Sequence, residues 1–183
     1  MRIYIRLSLM PLRTDHMYYQ AIFDTPLGAM QALADQDTLH FLDFTDRVNF
    51  DRQKQRVLAG DPLVRTEQTP MLQALGDELD AYFTGDLQVF NTPMTLYGSA
   101  FQQTVMQSLR SIAYGATQSY GQQASIIGRP SAVRAVARAN SMNQIAVLIP
   151  CHRVIGADGR LTGYAGGIAR KKWLLDHEKK YTI

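Results

Sequence analysis

The sequence predicts an α+β fold in two parts, a small antiparallel sheet with covering helices followed by a mainly helical part. Strand-and-turn patterns occur only in the N-terminal half, and amphipathic helical spacing dominates the C-terminal half. Charge follows the same division: residues 1–95 hold 8 Lys+Arg and 13 Asp+Glu, a net −5, and residues 96–183 hold 11 and 3, a net +8. We therefore expect a basic half that meets a polyanion and an acidic half that does not, the alternative being a basic face that is merely solvated.

Composition excludes several classes of protein. At 183 residues and 46% hydrophobic content the chain can bury a real core, as one domain or two small ones. The single cysteine excludes a disulfide framework and predicts a reducing compartment, the cytoplasm. No apolar run approaches the length of a membrane span, so no membrane partner is expected. Residues 1–17 are basic and partly apolar, but Arg6 interrupts the apolar run and no cleavage site follows, which predicts an extension rather than a signal peptide.

The N-terminal half has the pattern of three strands and two helices. The strands are expected at residues 18–23, 29–34 and 38–44, with turns at 25–28 and 35–37. The helices are expected at residues 50–59 and 71–83, the second ending at Gly85, with an extended connector over 88–96. His40 and the scattered aspartates lack metal-ligand spacing. We expect them at the surface or the core edge and assign no chemistry to this half.

The C-terminal half begins with a helix–turn–helix pattern. An apolar stripe predicts a first helix over residues 101–112, and a short helix follows at 122–127. Gly128–Pro130 is a turn, and Ser131 is expected to cap a helix over residues 132–139. Helix, glycine-containing turn and helix is a signature of nucleic-acid binding, although an ordinary helical hairpin has the same pattern.

The makeup of the second helix of this pair favours DNA. Its alanines allow a close approach, and Arg134 and Arg138, four residues apart, share one face. Long base-reading Asn or Gln side chains are absent from its interior. We therefore expect recognition of shape and backbone in the minor groove rather than sequence readout in the major groove.

Cys151 is the only cysteine of the chain and lies in the run Ile-Pro-Cys-His-Arg-Val-Ile. The β-branched run 145–149 predicts a buried strand that delivers the thiol at its end, and Pro150 stiffens the approach. A lone cysteine is usually inert packing, but neighbouring basic groups favour a reactive thiolate. Residues 161–167 form a glycine-rich loop suited to close approach of a flat base, and a last helix is expected over 169–179.

Pro-Cys-His-Arg-Val at 150–154 resembles the active-site motif of the O6-alkylguanine-DNA alkyltransferases. The resemblance covers most of residues 97–181 and is carried by Tyr120, Arg129–Val136, Asn143, Pro150–Val154, Thr162–Gly167 and Trp173–Glu178. In the N-terminal half it is limited to Thr25–Gly28 and to Tyr82, Phe83 and Gly85.

The resemblance implies a fold, a reaction and a partner. After the extension 1–17, it implies a ribonuclease-H-like domain over 18–96 and a winged-helix domain over 97–183. The implied reaction is direct-reversal DNA repair, a single-turnover transfer of the alkyl group from guanine O6 in duplex DNA to the cysteine, with O4-alkylthymine as a further substrate to consider. No cofactor is implied, and the partner is double-stranded DNA bound through its minor groove, with no obligate protein partner. With one cysteine, the zinc site of some relatives has no counterpart here.

The reaction needs a soft nucleophile, a base and donors to the purine. Cys151 is the expected nucleophile and His152 the base, acting through a bridging water because adjacent side chains point apart. Glu178 is expected to orient the histidine, its alternative being a solvated carboxylate at a helix C-terminus. Asn143 resembles the family's hinge asparagine, and Tyr120 resembles the phenol beside the flipped base. For both, the plainer alternative is a structural residue.

Two sets of residues are expected around this centre. The expected DNA contacts are Ser131, Ala132, Arg134, Arg138 and Arg153. Arg134 resembles the finger that fills the gap left by a flipped nucleotide, and flipping is needed because O6 in a stack is closed to in-line attack. The expected substrate pocket consists of Tyr120, Val154, Tyr164, Ala165 and Gly166.

Three residues depart from the family pattern. Gln144 replaces a common proline and predicts a looser hinge, and Gln123 replaces a common leucine and puts the packing of the short helix in doubt. Ala165 replaces a serine, which leaves only its backbone N–H for O6. Three other function classes stay open: a non-catalytic damage sensor, a transcriptional helix–turn–helix protein and a cysteine hydrolase.

Overall fold

A computed structural model describes residues 17–59 and 63–182, and it confirms the predicted α+β class. The predicted extension, apart from Met17, lies outside the described residues. Among the residues described, no helix is both long and apolar enough to cross a bilayer.

The N-terminal half is built on a four-stranded mixed sheet. Its strands are β1 (Met17–Thr25), β2 (Gly28–Ala34), β3 (Leu39–Phe44) and β4 (Leu63–Thr66), in the spatial order β3-β2-β1-β4. The pairs β1–β2 and β2–β3 are antiparallel, and β4 pairs with β1 in parallel. The three predicted strands are confirmed, and β4 is an addition that its sequence of only four residues did not indicate.

Two helices cover this sheet as predicted. Helix α1 (Phe50–Val57) packs on β3, and α2 (Pro70–Thr84) packs on β1 and β2. Thr69 caps α2 by accepting a hydrogen bond from Leu72 N at 3.2 Å. Gly85 ends α2 at φ 90°, a left-handed conformation that glycine adopts without strain, which confirms the predicted stop.

The C-terminal half contains four helices and a small parallel strand pair. The helices are α3 (Ala100–Leu109), α4 (Tyr120–Ile126), α5 (Val133–Asn140) and α6 (Ile168–Tyr181), and the strands are β5 (Gln118–Ser119) and β6 (Val154–Ile155). The helix–turn–helix prediction is confirmed by α4 and α5. The predicted cap of α5 is wrong: Ala132 occupies the N-cap without a side-chain hydrogen bond, and Ser131 lies in the preceding turn.

The strand predicted at 145–149 is also wrong. All five residues are buried, but they form turns, with Leu148 N bonded to Ala146 O and Ile149 N to Ile145 O. Only Ile145 makes a bridge, to Leu42 of β3. Val147 has φ 70°, which is unusual for a β-branched residue. The apolar composition of this run therefore reflects burial, which a periodicity argument cannot separate from a buried strand.

Gln123 packs the short helix rather than disturbing it. Its side chain is fully buried and exchanges hydrogen bonds with Asn140, at 2.7 and 3.4 Å. It also donates to Val105 O at 3.3 Å and Ser108 Oγ at 3.0 Å. Because this amide is satisfied by α3 and α5, it ties three helices together, and the doubt raised by the sequence is resolved.

One hydrophobic core joins the two halves. Buried residues of the sheet and α2, such as Met30, Leu42 and Leu75, share a cluster with Val105 of α3 and Leu174 of α6. The segment that precedes Cys151 runs through this shared core. The position of the thiol therefore depends on elements from both halves of the chain.

Candidate active site

Cys151 begins a single 3₁₀ turn (Cys151–Arg153) and is 8% exposed. Asn143 holds it: Nδ2 donates to Cys151 Sγ at 3.2 Å and to Ile149 O at 2.8 Å, and Oδ1 accepts from Ile145 N at 3.0 Å. Burial raises the pKa of the Cys151 thiol, and the hydrogen bond from Asn143 opposes this rise. A neighbouring base is therefore needed to generate the thiolate near neutral pH.

His152 is fully buried next to the thiol, and its Nε2 lies 2.7 Å from Glu178 Oε1. Burial lowers the pKa of His152, although the hydrogen bond to Glu178 works in the opposite direction. The ring is therefore neutral near pH 7, and the carboxylate selects the tautomer with hydrogen on Nε2. The other nitrogen, Nδ1, is left as a buried acceptor with no hydrogen-bond partner among the described residues.

Glu178 lies in the last part of α6 with no exposed surface. It accepts hydrogen bonds from His152 Nε2, from Arg153 Nε and Nη2 at 2.9 Å each, from Tyr82 OH at 2.8 Å and from Gly115 N at 3.0 Å. Burial alone would raise the pKa of Glu178, but His152 and Arg153 outweigh it and hold this pKa well below its usual value. The alternative interpretation, a solvated carboxylate, is wrong.

Arg153 does not lie on the surface, which contradicts its prediction as a DNA contact. Its side chain is 8% exposed, and its guanidinium donates to both oxygens of Glu178. The remaining Nη1 donates to Ile112 O at 2.6 Å. A buried carboxylate needs a charged partner, and Arg153 fills that role.

The N-terminal half supplies one of the donors to Glu178, which the sequence analysis missed. Tyr82 of α2 is fully buried, and its hydroxyl reaches the carboxylate. Burial raises the pKa of Tyr82 well above the usual value, so this phenol stays a donor. Its helical spacing marked Tyr82 as a core residue, and only the Tyr-Phe-x-Gly resemblance singled it out.

A second buried ion pair from the N-terminal half holds the segment that carries Asn143. Arg47 pairs with Asp43 and donates to Asn143 O at 2.8 Å and Ser141 O at 2.7 Å. Burial raises the pKa of Asp43 to about 6 against the opposing charge of Arg47. The prediction that the aspartates lie at the surface or core edge is wrong for Asp43. His40 is also buried and bonded to Asp35 and Tyr97.

The segment after Asn143 is tied to the sheet rather than loose. Leu42 N donates to Gln144 O at 2.9 Å, and Ala146 N donates to Leu42 O at 2.7 Å. These bonds form a parallel bridge between Ile145 and Leu42, so the segment is held against the sheet edge formed by β3. The looser hinge expected from Gln144 is therefore not found at the level of hydrogen bonding.

The glycine-rich loop over 161–167 closes the site from the other side. Tyr120 OH donates to Thr162 O at 3.2 Å and to Gly163 O at 3.1 Å, and the buried Lys171 of α6 donates to Thr162 O at 2.7 Å and to Val154 O. Burial lowers the pKa of Lys171 to about 8. Lys171 was not singled out in the sequence because basic residues on a helix are usually solvated.

The predicted pocket residues lie in this loop or next to it. Val154 is fully buried. The Tyr164 ring lies edge-on to the His152 ring, with 6.5 Å between the two ring centroids. A Cβ at Gly166 would lie 2.8 Å from Tyr164, so only glycine fits there. Ala165 is half-buried in the same loop.

Helix α5 presents the remaining predicted residues. Arg134 and Arg138 are exposed, as is Ser131 in the turn before the helix, and Ala132 is half-buried. The buried face of α5 consists of Val136, Ala139 and Asn140. Among the residues described, no group of three or more His, Cys, Asp or Glu side chains could hold a metal ion.

Comparisons with known proteins agree with this architecture. Residues 17–96 match the family described as "6-O-methylguanine DNA methyltransferase, ribonuclease-like domain", and residues 100–180 match "6-O-methylguanine DNA methyltransferase, DNA binding domain". The chain is 41% identical over 162 residues to the methylated-DNA–protein-cysteine methyltransferase of Methanosarcina acetivorans, covering 88% of this chain and 98% of that protein. It is 52% identical over 118 residues to the protein of the same name from Mycobacterium bovis, covering 63% and 72%.

A solved structure supports the same assignment. The crystal structure of Mycobacterium tuberculosis OGT in complex with DNA superposes with a TM-score of 0.78 at 38% identity, covering 91% of this chain and 94% of that one. The relative from Methanosarcina is matched over nearly its whole length. The chain therefore belongs to the methylated-DNA–protein-cysteine methyltransferase family.

Proposed function

We propose that the chain repairs O6-alkylguanine in duplex DNA by transferring the alkyl group irreversibly to Cys151. The observation that carries this proposal is a pair of buried hydrogen bonds at two adjacent residues, from Asn143 to the Cys151 thiol and between His152 and Glu178. A bond forms between Sγ and the alkyl carbon while the carbon–O6 bond breaks. The thiol proton is removed by the base, and the guanine leaves with a carbonyl O6 and gains a proton on its ring. The thioether has no route back to the thiol, so each molecule acts once.

The proton acceptor in this scheme is His152 Nδ1. Glu178 holds the hydrogen on Nε2, which leaves the buried Nδ1 with a free lone pair. No hydrogen bond joins His152 directly to Cys151 among the described residues, so a water molecule would carry the proton between them. Glu178 then stabilises the imidazolium that forms, in the pattern of nucleophile, base and orienter.

The base pocket is assigned to the loop over 161–167 and its neighbours. Tyr120 bonds to the loop, Tyr164 lies within it, and Val154 is buried next to it. Backbone N–H groups near Ala165 and Gly166 can approach a flat purine because these residues are small. The reacting base must leave the stack to reach this pocket, since O6 in a duplex is not open to in-line attack.

The DNA interface is assigned to α5 and the turn before it. Arg134 and Arg138 are exposed on α5, between small alanines that permit close approach to the minor groove. Arg134 would fill the gap left by the flipped nucleotide, whereas Arg138 would contact phosphate. We take residues 18–96 and 97–183 as the two domains. Because the proposed reaction needs Cys151 as a reduced thiol, we assign the protein to the cytoplasm, which is a reducing compartment.

The direct test mixes pure protein with a duplex carrying a single O6-methylguanine and maps the modified peptide by mass spectrometry. One methyl group should appear on Cys151 per protein molecule. Cys151→Ala should abolish transfer and retain duplex binding. Continued turnover with limiting protein would identify a hydrolase instead, and methyl transfer by the alanine variant would contradict the proposal.

A second test separates the two arginines of α5. Arg134→Ala should slow repair in duplex more than it weakens binding, and it should have a smaller effect on transfer from the free O6-alkylguanine base, which needs no flipping. Arg138→Ala should mainly reduce affinity and its salt dependence. Equal rate losses for Arg134→Ala on duplex and on free base would refute the finger assignment.

A further inference from the structure

A basic cavity lies where α1 of the N-terminal half meets the end of α5. Its volume is about 400 Å³. Four arginines line it: Arg47, Arg52, Arg56 and Arg138. None of its described lining residues is acidic. Three of these arginines come from the half of the chain that carries the net negative charge.

Helix α1 turns one face toward this cavity. The lining residues of α1 and its N-cap are Asn49, Arg52, Gln53 and Arg56. Spacings of three and four residues place them on one side of the helix. Arg52 and Arg56 are exposed, and the head of Arg56 reaches only Met142 Sδ, at 3.5 Å. Neither arginine forms an ion pair within the described residues, so both guanidinium groups are available to an anion.

The floor of the cavity contains buried polar atoms that lack a partner. Arg47 is 6% exposed, and its Nε has no hydrogen-bond partner among the described residues. Gln53 is 5% exposed, its NH₂ donates to Met142 Sδ at 3.7 Å, and its Oε1 has no hydrogen-bond partner among the described residues. Buried donors without partners are rare because each costs free energy. Arg47 already pairs with Asp43, so the charge that calls for an anion comes from Arg52, Arg56 and Arg138, and Nε of Arg47 adds an N–H donor.

We propose that this cavity binds a phosphate of the DNA backbone, so that α1 extends the DNA interface of α5 onto the N-terminal domain. The inference rests on the function proposed above, since it requires a duplex lying on α5. Arg138 belongs to both surfaces, and Arg134 lies four residues earlier, which is ~6 Å along a helix. Phosphates of one strand advance ~3.4 Å per base pair, so one duplex can contact α5 and the cavity together.

The position of the cavity favours DNA over a free anion. Ala165 of the loop proposed to hold the base is also one of its lining residues. The cavity therefore lies between the two elements that a flipped nucleotide and its strand would contact. This extension changes the expectation that the acidic half of the chain takes no part in binding a polyanion.

The test measures duplex affinity against salt for Arg52→Ala and Arg56→Ala in the full-length protein, by anisotropy of a labelled duplex. Arg65→Ala is the charge-matched control, because Arg65 is exposed on β4, at the sheet edge opposite β3, and does not line the cavity. Each cavity variant should lose roughly three- to tenfold in affinity and about 0.9 in the slope of log K against log salt. The control should match the wild type.

Transfer from the free O6-alkylguanine base to Cys151 is measured in parallel. Normal free-base transfer in every variant, with the salt slope reduced only in the cavity variants, supports the phosphate site. If the wild type transfers the alkyl group but the salt slopes do not differ among the three variants, the phosphate site is wrong. The proposed function then stays intact. Failure of the wild type to alkylate Cys151 overturns the function itself.

A final arm distinguishes DNA from free phosphate. Thermal stability of each variant is measured with inorganic phosphate and without DNA. If phosphate stabilises the wild type but not Arg52→Ala or Arg56→Ala, and the DNA salt slopes are equal, the cavity is a site for a free anion and the DNA assignment is wrong.

Discussion

Two buried ionic clusters lie near Cys151, and they differ in the groups that contact their central charge. In the first, the Glu178 cluster, a carboxylate is surrounded by donors from His152, Arg153 and Tyr82. In the second, the Arg47 cluster, a guanidinium pairs with Asp43 and binds the backbone carbonyls of Asn143 and Ser141.

This difference separates a cluster that can take part in proton transfer from a cluster that positions the thiol. The Glu178 cluster contains a neutral imidazole with one nitrogen free to accept a proton, so its members can change charge during the reaction. The Arg47 cluster binds backbone and acts on the thiol through the amide of Asn143, while the charges of Arg47 and Asp43 shift the pKa of Cys151 in opposite directions. We therefore expect changes in the first cluster to alter the rate and its pH dependence, and changes in the second to alter stability first.

The largest expected effect is that of His152→Gln. An amide at this position can still donate to Glu178 but is not a base, so transfer to Cys151 should slow by about 100-fold or more. Duplex affinity should stay within about twofold of the wild type, since His152 is buried. Single-turnover alkylation measured beside duplex binding tests this, and transfer at the wild-type rate would show that another group takes the proton.

Substitutions in the Arg47 cluster should lower stability first, whereas His152→Gln should lower the rate of transfer. Arg47→Met leaves Asp43 buried and unpaired, so unfolding free energy should fall by about 3–5 kcal/mol, less where the carboxyl is protonated. In the double variant Arg47→Met/Asp43→Leu, apolar groups replace both charges and most of the stability should return. Transfer should nevertheless remain slowed, by roughly tenfold, because the carbonyl of Asn143 has lost its donor.

Denaturant unfolding and alkylation rates of the two variants together decide this point. A double variant that recovers both stability and rate would show that Arg47 only compensates Asp43 and does not position Asn143.

A smaller effect is expected at Tyr82. Tyr82→Phe removes a donor to Glu178 Oε1 and should destabilise the fold by about 1.5–3 kcal/mol. The freed carboxylate oxygen then accepts more strongly from His152, which raises the pKa of the ring, so the acid limb of the rate profile should move to higher pH. Tyr114→Phe is the matched control, because the Tyr114 hydroxyl is buried near the same cluster without a partner among the described residues.

An equal shift of the acid limb in both phenylalanine variants would contradict a specific role for Tyr82. A shift in Tyr82→Phe alone would show that the N-terminal domain influences the base directly.

The contrast between the clusters also explains what could be predicted from the sequence. Strands, helices and turns follow local periodicity and glycine positions, so β1 to β3, α2 and the stop at Gly85 were predictable. Cys151 and His152 were predictable because they are adjacent in a distinctive motif. Contacts made by Tyr82, Arg47 and Arg153 join residues far apart in the chain, and no local pattern encodes them.

Charge was the least reliable guide. Arg153, a basic residue of the motif, is predicted to contact DNA, yet in the structure it forms an ion pair with the buried Glu178. Asp43 is expected at the surface or the core edge, yet it is buried with Arg47. Burial of a charge depends on whether the fold supplies a partner, and that is a property of the tertiary structure. The run 145–149 shows the same limit for apolar residues, because burial in turns and burial in a strand select the same side chains.

The most direct test of the central claim, that Glu178 holds His152 as the base for Cys151, is the rate of alkyl transfer against pH for the wild type and Glu178→Gln. The range is about pH 5 to about pH 9, which brackets ordinary His and Cys pKa values. Burial lowers the pKa of His152, so the wild-type rate should stay level on acidification until the pH falls below the usual histidine value. Burial raises the pKa of Cys151, so Glu178→Gln, with a weaker base, should be slower throughout and should accelerate as the pH rises. Identical profiles for the two proteins across this range would contradict the account.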